Sequence, residues 1–291
     1  MEEKTLNIDE IANEKPFDLA KHSSIGVGGK ADVAFYPRNV EQLMTLLQCL
    51  QTGGREYYVV GNMTNVLPAD AGTHKAIICL KALTGMQTKE KLFAFAGEQS
   101  GNFLRACRNA RKSGGEFLAG IPCTIGGALY MNAGANGEYI AEIVDSVLVI
   151  REGQLRKISC AECGYSYKNS VFMTNKDVIV GATFCLADSD ENKIDERIQS
   201  FQRRRAHLPT GRSMGCVFKN PDGCAAGELI ERAGLKGLRV GGAKISEKHA
   251  NFIINEHGAT QRDISALISL IKNAVCAQYG VTLSEEIRYI T

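Results

Sequence analysis

Gly120-Ile-Pro-Cys-Thr-Ile-Gly-Gly-Ala-Leu-Tyr-Met-Asn-Ala-Gly-Ala-Asn-Gly137 is the segment on which the reading of this chain turns. Five glycines and three alanines fall within its eighteen positions. Backbone so sparsely clothed can come within touching distance of a flat or anionic ligand, and its N–H groups then form the binding surface. The segment lacks the Lys-Ser/Thr ending of a Walker phosphate loop. A tight strand-to-helix connection without ligand would use the same residues, so the reading depends on partners elsewhere in the chain.

The bulk properties narrow the classes. With 291 residues the chain can bury a sizeable core and divide into two or three domains. It has 44% hydrophobic and 23% charged residues, the proportions of an ordinary soluble protein. Thirty-four basic and 32 acidic residues leave a net charge of +2, so no global field attracts nucleic acid or a membrane surface. Arg203-Arg204-Arg205 is the one notable basic cluster, read as a solvated helix face or a local anion contact. Met1–Lys15 is charged and has no apolar signal core, and no run approaches the roughly 18 apolar residues that span a bilayer. A cytoplasmic monomer is the expectation. The ten cysteines are scattered without framework spacing and read as reduced thiols. Cys160-Ala-Glu-Cys163 has no second pair at finger-like spacing, so no metal is expected.

Strand and helix signals interleave. Glu41–Gln51 has helical periodicity, and Glu56–Val60 reads as a strand ending at Gly61. Further strands are predicted at Lys75–Leu80, Leu92–Ala96, Asp145–Ile150 and Asp177–Leu186, with Arg151-Glu-Gly-Gln154 as a hairpin turn. Helices are predicted over Asn102–Lys112, Lys193–His207 and Gln261–Tyr279. The last has an Ile264, Leu267, Ile268, Ile271, Val275 stripe, Thr260 as cap and Gly280 as stop. The pattern is mixed α+β, and no GxGxxG follows a strand.

Three further segments accompany the opening one: His22-Ser-Ser-Ile-Gly-Val-Gly-Gly-Lys-Ala31, Tyr57-Tyr-Val-Val-Gly-Asn-Met-Thr-Asn65, and Arg212-Ser-Met-Gly-Cys-Val-Phe-Lys-Asn-Pro221. Gly242–Phe252 and Leu283-Ser-Glu-Glu-Ile-Arg288 complete the set. In this order, from about Ala20 to the C-terminus, the chain resembles the UDP-N-acetylenolpyruvoylglucosamine reductase family, in its shorter subclass without an extra substrate-covering loop. The resemblance implies a two-domain FAD-binding fold of the vanillyl-alcohol-oxidase type, at 1–80 and 81–203, the latter joined by a returning 281–291. A C-terminal α+β substrate domain at 204–280 would follow. It also implies non-covalent FAD, NADPH as co-substrate, and reduction of UDP-N-acetylglucosamine enolpyruvate to UDP-N-acetylmuramate for peptidoglycan.

Residue roles follow from the matching positions. Hydride arriving at the vinyl carbon pushes charge onto the neighbouring carbon and its carboxylate, which needs stabilising donors and then a proton. The resemblance assigns the proton to Cys216 and the carboxylate side to Lys168 and Glu286. It assigns FAD to Gly61, Asn62, Met63, Thr64 and Asn65, to Gly120, Thr124, Gly126 and Gly127, and to Arg204. Tyr167, Lys219, Asn220 and His249 match positions that hold the sugar nucleotide.

Four positions depart from the family pattern. Cys216 stands for the usual serine; a thiol with a pKa of about 8.5 is protonated at neutral pH and gives up its proton more readily than an alcohol. Lys168 stands for arginine, keeping charge but losing the bidentate fork. Met63 and Cys123 stand where glycine or a small residue is usual, and a Cβ at Met63 predicts backbone strain of about 1–3 kcal/mol. These departures leave a second reading open: a catalytically impaired paralogue that binds flavin or nucleotide. An oxidase with tethered flavin is disfavoured, because Gly61–Asn65 contains neither His nor Cys.

Overall fold

The computed structural model describes residues 8–291. The described residues fall into two compact units, each discontinuous in sequence: one made of the residues up to 14, 33–62 and 75–206, the other of 15–32, 63–74 and 207–291.

The first unit holds two larger sheets and two two-stranded ones. Its four-stranded sheet runs in the order Asn13–Glu14, Ala34–Phe35, Ala76–Cys79, Tyr57–Val60. Tyr57–Val60 pairs in parallel with Ala76–Cys79, all four of whose residues are buried, as strands covered on both faces require. The helix Val40–Thr52 starts at Asn39, whose side chain accepts from the Gln42 N–H. It buries Leu43, Leu46, Leu47 and Leu50 in the same core as Phe35 and Ile78.

The second sheet is antiparallel and five-stranded: Gln154–Ser159, Val144–Arg151, Val178–Phe184, Leu92–Phe95, Met86–Thr88. Glu152 and Gly153 both have positive φ, +51° and +73°, as a two-residue hairpin between twisted strands demands. The helices of this unit span Ser100–Asn109, Ile125–Met131 and Glu191–Arg205. The first starts two residues before the predicted Asn102, because Gly101 in its opening turn obscures the periodicity. The third starts at an Asp190 cap that accepts from the Lys193 N–H.

The second unit has a four-stranded sheet, ordered Ser213–Cys216, Phe252–Asn255, Ala243–Ile245, Arg239–Val240. Its long helix is Gln261–Tyr279, as the periodicity predicts. Thr260 and Asp263 form a reciprocal capping box, and Gly280 ends the helix at φ +66°. The predicted stripe, Ile264, Leu267, Ile268, Ile271 and Val275, is buried throughout.

The last strand, Arg288–Ile290, pairs in parallel with Val66–Pro68, inside the second unit. Leu283 and Ile287 share the core of the long helix, and the Thr73 hydroxyl donates to the Thr291 carbonyl at 2.9 Å. The C-terminal residues are therefore a structural part of the second unit, and the burial of their apolar side chains there is the reason.

Leu267 is fully buried, and Leu270, one turn further along the same helix and outside the buried stripe, is 45% exposed. Leu267→Ala is expected to cost about 2–5 kcal/mol of unfolding free energy, whereas Leu270→Ala stays within about 0.5 kcal/mol. Denaturant titration of the two variants checks the assignment of the helix face.

Candidate functional site

In the first unit the two glycine-bearing loops meet. A Cβ on Gly61 would lie 2.3 Å from Thr124 Oγ1, so only glycine permits this approach. The Asn62 and Gln99 side-chain amides bind each other reciprocally, at 2.7 and 3.1 Å, and Asn62 also donates to the Pro122 carbonyl at 3.2 Å. Gly126 packs so closely on Ala96 that a Cβ would come within 2.9 Å of the alanine methyl. Thr124 caps the helix Ile125–Met131 through its hydroxyl and the Gly127 N–H.

These contacts correct one expectation. The N–H groups of Ile125 and Gly126 donate to the carbonyls of Glu98 and Ala96, each at 2.8 Å, and that of Gly127 to Thr124. The opening turn of this helix is satisfied within the protein and does not present a row of bare donors. Its glycines serve close packing, which brings Gly61, Asn62 and Thr124 together.

Gly120 sits at φ +77° and its carbonyl accepts from Arg205 Nε at 3.2 Å. Arg204, expected at the cofactor, lies over the Phe201 ring, 5.9 Å from its centroid. Cys123 is buried, and burial pushes its thiol pKa up to about 11. It is a protonated packing residue. Tyr167 and Lys168 occupy the tip of a two-residue turn, with Ser166 and Asn169 exchanging backbone hydrogen bonds at 3.2 and 3.1 Å. Lys168 has φ +51°, and Tyr167 is exposed with its ring edge-on to Tyr139.

In the second unit, the half-buried Cys216 ends the strand Ser213–Cys216, paired with Phe252. The chain beyond it is held on both sides. Val217 N–H donates to the Asn251 carbonyl, and the Asn251 side chain, itself buried, bonds both the N–H and the carbonyl of Phe218 at 2.9 and 2.8 Å. On the other side Glu286 N–H donates to the Val217 carbonyl and Lys219 N–H to the Ser284 carbonyl, both at 2.8 Å. Cys216 and Glu286 are thus brought to neighbouring chain segments. Asn65 joins them: its side-chain amide donates to the Glu286 carbonyl at 3.2 Å, and its own carbonyl accepts from the Arg288 N–H at 2.9 Å.

The two adjacent glutamates are distinguished by their partners, since the Glu285 carboxylate binds Lys272 Nζ at 2.9 Å and the Tyr289 hydroxyl at 2.7 Å. Met63 is buried with φ +53°, the left-handed backbone expected there, and its carbonyl accepts from the Ser24 N–H. Asn220 accepts from the Ala226 N–H at 3.0 Å, capping a helix whose N-cap residue, Ala225, offers no side-chain oxygen. His249 Nδ1 accepts from the Asn251 N–H at 3.3 Å, and its ring meets Phe252 edge-on at 5.1 Å. Burial, with His207 nearby, lowers its pKa from 6.5. Among the described residues no group of three His, Cys, Asp or Glu side chains could hold a metal ion, and no helix is long and apolar enough to cross a membrane.

Gln99, Arg205 and Asn251 were not legible as site residues. Each makes its contact through tertiary placement, and only Asn251, near the end of the quoted Gly242–Phe252 segment, lies in a motif.

Comparison with known proteins gives a consistent result. Residues 31–159 match the family described as FAD binding domain, and residues 206–290 match "UDP-N-acetylenolpyruvoylglucosamine reductase, C-terminal domain". The UDP-N-acetylenolpyruvoylglucosamine reductase of Geobacter metallireducens is 40% identical over 97% of this chain and 94% of its own length. That of Geobacter sulfurreducens is 38% identical over 96% and 93%. The crystal structure of the corresponding reductase (MurB) from Thermus caldophilus superimposes with a TM-score of 0.83 at 29% identity, covering 97% of this chain and 99% of that one.

Gly61→Ala is expected to destabilise by more than about 2 kcal/mol through the clash with Thr124. Thr124→Ala alone should cost about 1 kcal/mol as a lost cap. The double variant should be more stable than the sum of the two single losses, because the clashing atoms are gone; strict additivity in thermal unfolding would contradict the approach described. The depressed His249 pKa sets a second expectation. The folded state disfavours the protonated imidazole, so its contribution is complete above the unfolded value of 6.5 and declines as pH falls below it. His249→Gln should flatten the loss of unfolding free energy between about pH 7 and 5.

Proposed function

The chain belongs to the UDP-N-acetylenolpyruvoylglucosamine reductase family, and on that premise we propose how its own residues carry the reaction. It is an FAD-dependent oxidoreductase that reduces the enolpyruvyl group of UDP-N-acetylglucosamine enolpyruvate in peptidoglycan synthesis. The observation that ties this to residues is the placement of Cys216 and Glu286 on bonded neighbouring segments.

The two loops proposed to hold the cofactor are built against each other. Gly61, lacking a Cβ, closes on Thr124, and Asn62, paired with Gln99, is bonded to the Pro122 carbonyl. Gly61, Asn62, Met63, Thr64 and Asn65 on one loop, with Gly120, Thr124, Gly126 and Gly127 on the other, are the residues proposed to hold FAD. Arg204 is proposed as an adjacent cation. When bound, FAD supplies the two-electron chemistry that passes hydride from NADPH to the vinyl carbon.

As charge develops on the adjacent carbon and its carboxylate, Lys168 is proposed to oppose it with its ammonium, and Glu286 to donate a hydrogen bond to the same side through its carboxyl proton. The Cys216 thiol then gives its proton to that carbon and is reprotonated from solvent. Tyr167, Lys219, Asn220 and His249 are proposed to hold the sugar nucleotide. For His249 this falls to Nε2, since His249 Nδ1 already accepts a backbone hydrogen bond.

The impaired-paralogue reading loses ground at Met63. A left-handed residue bearing a Cβ costs about 1–2 kcal/mol, while burial of a methionine side chain returns about 1.5–3 kcal/mol. The side chain is 4% exposed, so the substitution is offset locally.

Visible absorption of the purified protein, followed by anaerobic NADPH and then the enolpyruvyl sugar nucleotide, should give bleaching and its substrate-triggered reversal. Protein that takes up no FAD would overturn the assignment. Cys216→Ala should leave NADPH oxidation within about twofold and slow formation of the muramate product by on the order of 10²-fold. Cys216→Ser should retain measurable turnover. Equal product rates in wild type and Cys216→Ala would remove the thiol from the mechanism.

A further inference from the structure

We infer that Asn132 is a positioning residue for this reaction. Its side-chain amide fixes the turn that carries Lys168 to the end of the glycine-rich helix Ile125–Met131. The inference rests on the role proposed for Lys168.

A cation that steadies a developing carboxylate must be held in place, since a displacement of about 1 Å can cost on the order of 10²-fold in rate. The turn Ser166–Asn169 has Lys168, in left-handed backbone, and the exposed Tyr167 at its tip. The reciprocal Ser166–Asn169 bonds close its backbone on itself.

The attachment comes from two buried side chains. Asn132 Nδ2 donates to the Ser166 carbonyl at 2.8 Å, and Ser170 Oγ donates to the Tyr130 carbonyl at 2.6 Å. Asn132 is 4% exposed and Ser170 is 1% exposed. One tie lies on each side of Tyr167-Lys168, and both end on the last turn of the same helix. Asn132 Oδ1 also accepts from the Ala141 N–H at 3.3 Å, so the amide bridges two loops.

The residue type carries the argument further. Asn132 caps the helix in left-handed backbone, φ +44°, where its N–H bonds to Ala128 and Leu129. Glycine would serve that backbone with less strain, so the cap alone does not call for asparagine. What asparagine adds is an amide able to donate to one loop and accept from another. The opposite end of this helix is Thr124, against which Gly61 closes. One seven-residue rod, about 10 Å long at 1.5 Å per residue, therefore sets the spacing between the proposed cofactor cradle and Lys168.

The test is a double-mutant cycle on the flavin-loaded enzyme. Asn132→Gly keeps the left-handed cap and removes only the amide. It should slow product formation about tenfold while NADPH oxidation stays within about twofold. In a Lys168→Ala background the same change should add less than about twofold, because the group it positions is gone. Calorimetric binding of UDP-N-acetylmuramate should show the same non-additivity without turnover. Ser170→Ala, taken through the same cycle, provides an independent reading if Asn132→Gly folds poorly. Equal losses from Asn132→Gly with and without Lys168 would reduce Asn132 to a structural cap and end the inference. A Lys168→Ala enzyme with undiminished product formation would instead sink the role of Lys168, and the inference with it.

Discussion

The approach of Gly61 to Thr124 is the contact from which the first unit's site is built. It closes only because one partner has no Cβ and the other turns its hydroxyl back to cap its own helix. The Asn62–Gln99 pair and the bond from Asn62 to Pro122 then hold the two loops in register. Because Ile125 and Gly126 N–H groups are bonded to the Glu98 and Ala96 carbonyls, the glycine-rich helix is locked against the strand Leu92–Phe95 and the turn that follows it. Glycine here trades side-chain packing for proximity, and the hydrogen bonds secure the result.

In the second unit, too, the parts come from three separate stretches of chain. The segment after Cys216 has no long strand of its own. It is bracketed by Asn251, whose side chain imitates a strand partner, and by Ser284–Glu286. Asn65 bonds to the residues at both 286 and 288, so the turn after Met63 is fixed to the C-terminal segment that carries Glu286. The backbone that follows Cys216 is bonded to Asn251 and to Glu286, and Glu286 is bonded in turn to Asn65, more than two hundred positions away in the sequence.

Local signals were legible where the physics is local. The helix Gln261–Tyr279 announced its stripe, cap and stop, and the hairpin at Arg151–Gln154 followed from a Glu-Gly pair between apolar strands. The strand at 76–79 and the pair at 144–151 and 178–184 fell within a few residues of expectation. The candidate site was legible as a set of motifs, but its bonds were not. The pairing of Arg288–Ile290 with Val66–Pro68 joins segments with no shared periodicity, and no composition cue specifies it. The left-handed cap at Asn132 was open to reading, since asparagine after a short apolar helix is a common stop; its second role appears only when the Ser166 turn is in place.

Two of the four family departures are absorbed by packing. Met63 offsets its strained backbone with a buried side chain, and Cys123 fits as a small apolar group whose thiol burial keeps protonated. Lys168 loses the fork of an arginine, and a flexible ammonium needs more help from its surroundings to present one charge in one place. That help is what the Asn132 and Ser170 ties provide, by fixing the backbone on both sides of the lysine. Cys216 is different, because on the proposed assignment the change alters the acid itself. A thiol releases its proton at a lower pKa than a hydroxyl, so proton delivery demands less from neighbouring groups. On that proposed assignment the precision required shifts from the proton donor to the cation, and the anchoring of the Lys168 turn becomes the more exacting constraint.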